Sequence, residues 1–175
     1  MIFDFDDWSQ AHDCRMELEK LKEINPKFKV TLFTIPAKTT IEMLEWANWN
    51  NYWVELAQHG WKHNSNYECK DWDFETAMYY LSRGVLLNPK GFKAPGWQIS
   101  DDLYHACREF GYYVADQPYN KDRRPEGVRI YEVGKDAYHG HTWDCNCGNG
   151  IHEDWDNIVK KVKEAKEFKF ISEVV

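Results

Sequence analysis

Apolar and polar positions along the chain fall into alternating blocks of two periods. Residues 2–6 (IFDFD) carry apolar side chains at every second position and predict a first strand, although Asp4, Asp6 and Asp7 crowd its end. An amphipathic run over residues 13–24 (DCRMELEKLKEI) predicts a helix that Asn25-Pro26 stops. The β-branched and aromatic stretch at 27–35 (KFKVTLFTI) predicts a second strand. Thr40 stands where it caps a short helix over 41–49, and 52–58 (YWVELAQ) reads as a third strand. Another helical run extends from Trp72 to Arg83 and breaks at Gly84.

Residues 91–94 (GFKA) predict a short fourth strand. Ser100, with Asp101 and Asp102 in the first turn, opens a helix over 101–110 that Gly111 closes. Residues 112–116 (YYVAD) predict a fifth strand, 117–127 a polar loop, and 128–133 and 136–141 two further strand-like segments. The clearest amphipathic helix spans 151–168, and 169–175 (KFISEVV) is expected to finish as a strand. This alternation argues for an α/β fold with mainly parallel strands. About seven such units would close imperfectly into a barrel, and a doubly wound open sheet is the alternative.

Length narrows the picture to one domain over residues 1–175, with no repeat or linker. Hydrophobic residues at 43% and charged residues at 29% fit a globular chain. Nine tryptophans suit a large aromatic core or a surface for stacking sugar rings. The net charge of −7 disfavours nucleic acid and anionic membranes as partners. No apolar run is long enough to insert in a membrane, and a strand beginning at Met1 leads us to expect a cytoplasmic protein without a signal peptide. Five cysteines cannot all pair, which suits free thiols in a reducing compartment; Cys145-Asn146-Cys147 alone is a weak metal signal.

In α/β folds the chemistry gathers beyond the C-terminal ends of the strands. Those positions here hold Asp6 and Asp7, His59 and His63, Lys93, Pro95 and Trp97, Asp116, and His139 and His141. His59 and His63 are four apart and would align across a helical turn. Such a pair by itself is more often structural than metal-binding. Joined by the Asp7 carboxylate, it would make an open catalytic zinc-type site. Asp6 beside it could take a proton from an attacking water if the chain turns at Trp8-Ser9, because successive strand residues face opposite ways. Asp4 reads as a hydrogen-bonded structural acid. His139 or His141 could donate a proton to a leaving group, with Asp116 orienting the ring and Lys93 holding Asp6. Either histidine, and Lys93, could equally be an ordinary rim residue.

In this order the pieces resemble the polysaccharide deacetylase family, the NodB-homology domain. Phe5-Asp6-Asp7 is similar to its first motif, His59-Gly60-Trp61-Lys62-His63 to its His-x-x-x-His motif, and Lys93-Ala94-Pro95-Gly96-Trp97 to its Arg-x-Pro-aromatic motif. Asp116 resembles the fourth motif and Tyr138–His141 the fifth. The resemblance implies a distorted (β/α) barrel and a divalent ion, zinc in type, on Asp7, His59 and His63. It implies hydrolysis of an N-acetyl or O-acetyl group on an amino sugar or oligosaccharide. Asp6 would be the base, a fifth-motif His the acid, and the metal with a backbone N–H would hold the oxyanion. Trp8, Trp61, Trp97 and Trp143, beside the motifs, and Pro95 within the third would line a sugar subsite.

Lys93 departs from the family's arginine, whose bidentate clamp an ammonium cannot reproduce. The alternatives are therefore a carbohydrate-binding protein that keeps the metal without turnover, and a metal-dependent amidase acting on a non-sugar amide.

Overall fold

The computed structural model describes residues 1–132, 134, 136–144 and 149–175. The Cys145-Asn146-Cys147 segment lies outside the described residues. Seven strands run parallel in one sheet: β1 (Ile2–Trp8), β2 (Val30–Thr34), β3 (Val54–His59), β4 (Gly91–Lys93), β5 (Tyr113–Ala115), β6 (Ile130–Tyr131) and β7 (Ala137–His141). Their spatial order is β6-β5-β4-β3-β2-β1-β7, so the sheet curls into a half-barrel and stays open between β6 and β7. The expected distorted (β/α) barrel is present in this form.

Period-two alternation explains β1. Phe3 and Phe5 pack with Leu18 and Leu21 of α1 (Arg15–Ile24) and with Ile158 and Val162 of α5 (Trp155–Glu164). Asp4 and Asp6 project from the opposite, concave face. Parallel pairing aligns Asp4 with His139 and Asp6 with His141, and on the far side His59 of β3 with Lys93 of β4. The polar residues therefore meet in layers inside the half-barrel. The remaining helices, α2 (Ile41–Trp49), α3 (Phe74–Gly84) and α4 (Asp101–Glu109), start on side-chain caps from Thr40, Asp73 and Ser100.

The C-terminal segment differs from expectation. It forms a 3₁₀ turn at Ile171–Glu173 and no strand. Thr31 Oγ1 accepts the Ile171 N–H at 3.3 Å, while Glu55 accepts both the N–H and the hydroxyl of Ser172. These buried side chains satisfy backbone groups that a sheet edge would otherwise have paired. The amphipathic run at 151–168 is helical only over Trp155–Glu164, and the polar loop at 117–127 contains a 3₁₀ segment, Pro118–Arg123.

Candidate metal centre

The first strand delivers two adjacent carboxylates to one place because its end is irregular. Pairing with β2 shifts register between Phe5 and Trp8, and Asp7 has a left-handed backbone with φ of 69°. Ser9 Oγ holds that kink by donating to the Asp7 carbonyl at 3.1 Å. The turn required to face Asp6 and Asp7 into one cleft is thus at Asp7 itself.

His59 ends β3, and its Nδ1–H donates to the Lys93 carbonyl at 3.0 Å. That bond leaves the Nε2 lone pair facing Asp7 Oδ1, 3.5 Å away. His63 Nε2 lies 3.2 Å from the same oxygen. No helix joins the two histidines, contrary to the spacing argument; the chain turns tightly, with Gly60 at φ of 56° and His63 at 47°. Glu68 holds the turn, accepting the N–H groups of Trp61, Lys62 and His63 at 3.0, 2.8 and 2.9 Å. A Cβ on Gly60 would stand 2.3 Å from Glu68 Oε2, so glycine is needed both for conformation and for space.

Asp7 Oδ1 is buried without a hydrogen-bond partner, and two imidazoles converge on it. A carboxylate oxygen and two imidazole nitrogens are a donor set that fits a divalent ion with open positions. The other oxygen, Oδ2, accepts from Trp143 Nε1 at 2.9 Å, and the Trp143 ring stacks on His12 at 5.0 Å. Burial raises the Asp7 pKa, but His59, Trp143 and His63 outweigh it and hold the group well below the usual carboxylate range.

Beside this cluster, Lys93 Nζ donates to Asp6 Oδ2 at 2.5 Å and lies 3.1 Å from His139 Nε2. Burial works to raise the Asp6 pKa, yet Lys93, His139 and His59 bring it down to about 2. Asp6 Oδ1 is buried and has no partner. His139 Nδ1 meets Asp4 Oδ1 at 2.5 Å. His141 lines the same cleft, and burial lowers its pKa against the pull of Asp6 and Asp7.

The cleft has a volume of about 590 Å³ and brings together Asp6, Asp7, His59, His63, Lys93, His139 and His141. Among the tryptophans, Trp97 and Trp143 border it. Trp8 is fully buried against Trp46, Trp61 stacks on Tyr80, and Pro95 is buried beside Gly60, so these three do not line the cleft. Asp116 does not orient either histidine. Its carboxylate accepts from Tyr104, Asn120 and Arg124 at 2.6, 2.8 and 2.9 Å, because Arg124 folds back over the strand end. Asp4, one strand period below Asp6, does that work on His139 instead. Neither Glu68 nor Asp4 stood out in the sequence as part of the site, although the i, i+2 spacing of Asp4 and Asp6 already put both on one strand face.

Two expectations arise here. Glu68→Ala frees the turn that carries His63 and should weaken divalent-metal affinity about 10–100-fold, as calorimetry would measure. Trp143→Phe removes only the N–H on Asp7 and should weaken it about 10-fold, with the fold retained by circular dichroism.

Comparison with solved structures bears on the fold. A family 4 acetyl xylan esterase from Clostridium thermocellum, solved with a cobalt ion, superposes with a TM-score of 0.69 at 16% identity over 98% of this chain and 88% of that one. The fold is that of the family 4 carbohydrate esterases. A peptidoglycan deacetylase from Bacillus subtilis gives a TM-score of 0.61 at 16% identity, covering 98% and 87% of the two chains. A family 4 pseudoenzyme from Bacillus anthracis gives 0.63 at 12% identity, covering 99% of this chain and 64% of that one. No protein-family model and no curated protein matches the sequence.

Proposed function

We propose that this protein is a metal-dependent hydrolase that removes acetyl groups, N- or O-linked, from a carbohydrate. The observation that carries the reading is the convergence of His59 Nε2 and His63 Nε2 on the unpartnered, buried Asp7 Oδ1. These three residues would hold a divalent ion, zinc by donor type, and such an ion polarises an acyl carbonyl and acidifies water. The acetyl xylan esterase with a similar fold holds cobalt, which supports a divalent metal of this kind.

Asp6 is the general base. Lys93 fixes one of its oxygens and leaves Oδ1 to take a proton. His139 has both ring nitrogens engaged, by Asp4 and Lys93, so His141 is the better donor to the leaving group. A neutral imidazole donates only after acquiring a proton. Asp6, its register partner on the neighbouring strand, has one to pass. Trp97 and Trp143 at the cleft edge offer apolar faces for sugar rings of an acetylated amino sugar or oligosaccharide.

Acetate release from N-acetylated chito-oligosaccharides and acetylated xylan, before and after metal removal, tests the proposal. Release that is lost on chelation and regained with zinc or cobalt is expected. Metal bound with no acetate released from any sugar would favour the second reading, a carbohydrate-binding protein without turnover. Lys93 at the third motif's arginine position and the pseudoenzyme of similar fold keep that reading in view.

A further inference from the structure

Lys93 is 1% exposed, and a buried ammonium needs compensating acceptors. It has two, Asp6 Oδ2 and His139 Nε2, and it lies over the Trp97 ring, 3.8 Å from its centroid, with the Phe33 ring at 5.1 Å. An ammonium only donates, so His139 Nε2 must present its lone pair to Lys93. The ring proton then sits on Nδ1 and is given to Asp4, whose carboxylate is 1% exposed. Carboxylate oxygens of Asp4 and Asp6 and a nitrogen of His139 all lie within 4.8 Å of one another, a separation that a metal ion could bridge. Asp4 Oδ2 is buried and unpartnered.

We propose that Asp4, Asp6 and His139 form a second metal-type cage whose resident cation is the protein's own Lys93 ammonium. The compact ammonium fills the position of an ion between converging acceptors, which a planar, forked guanidinium would not. Its presence limits the cleft to one exchangeable metal ion. It also keeps Asp6 out of metal coordination and available as a base, a consequence that rests on the function proposed above, whereas the cage itself does not.

The test counts ions. Lys93→Ala empties the cage, and calorimetry with zinc and with cobalt should show one more ion per chain than wild type. Lys93→Met fills the same space with a neutral side chain and should show no gain. Adding His139→Ala to Lys93→Ala should return the count to the wild-type value. A folded Lys93→Ala protein that gains no ion overturns the proposal, as does an equal gain in Lys93→Met. The readout is a difference, so a wild type that binds no ion would sink the Asp7–His59–His63 centre and leave this test intact. If Lys93→Ala does not fold, nitrogen chemical shifts of His139 in the wild type decide. A protonated Nδ1 with an unprotonated Nε2 is expected, and a proton on Nε2 overturns the proposal.

Discussion

Asp6→Asn should reduce acetate release about 10²–10⁴-fold and leave the bound metal at the wild-type level. Asparagine keeps the size of the side chain and an oxygen for Lys93, but it cannot take a proton. The wild-type group is an anion throughout the physiological range, because Lys93, His139 and His59 overcome the effect of burial and set its pKa at about 2. That depressed value also contributes stability, present in full above the unfolded carboxyl value of about 3.9 and lost as pH falls through 2. Asp6→Asn gives up this contribution at neutral pH, so its melting temperature should drop. Metal content per folded chain separates the two effects. Loss of metal together with activity would mean that Asp6 is a ligand and that the division of labour with Asp7 is wrong.

His59→Ala should empty the metal centre. The His59 ring is 2% exposed and is oriented from behind by the Lys93 carbonyl, so nothing nearby can replace its Nε2. One of three protein ligands is lost, and the fall in affinity should exceed the roughly 10–100-fold typical of outer-shell changes such as Glu68→Ala. The two variants should differ in recovery. High metal concentration should restore acetate release to Glu68→Ala, where all three ligands survive, and should fail to restore it to His59→Ala. Full metal occupancy in His59→Ala, measured by elemental analysis after gel filtration, would show that the ion sits elsewhere.

The parts of this molecule written in local pattern were legible in its sequence. Alternation in β1 separates Phe3 and Phe5 from Asp4 and Asp6, and Thr40 and Ser100 cap helices where their hydroxyls lead one to expect it. The parts decided by distant partners were not. KFISEVV has the composition of a strand, but Thr31 and Glu55 draw its backbone into a turn. Asp116 stands at a strand end like the other rim residues, yet Arg124, eight positions on, captures it. His59 and His63 meet as their spacing suggests, through a glycine turn locked by Glu68 and without a helix. The chemistry of Asp4 emerges only once β7 is seen to pair with β1, since that pairing sets His139 beside it. Lys93 shows the same limit. Its residue type departs from the third motif's arginine, but only the arrangement of Asp4, Asp6 and His139 around it indicates why an ammonium fits.

The central claim is that one divalent ion sits on Asp7, His59 and His63. Anomalous diffraction from a crystal of wild-type protein soaked in zinc or cobalt tests it most directly. The account predicts a single strong peak within bonding distance of Asp7 Oδ1, His59 Nε2 and His63 Nε2. A crystal whose cleft shows no peak, or a peak away from these three atoms, would contradict it.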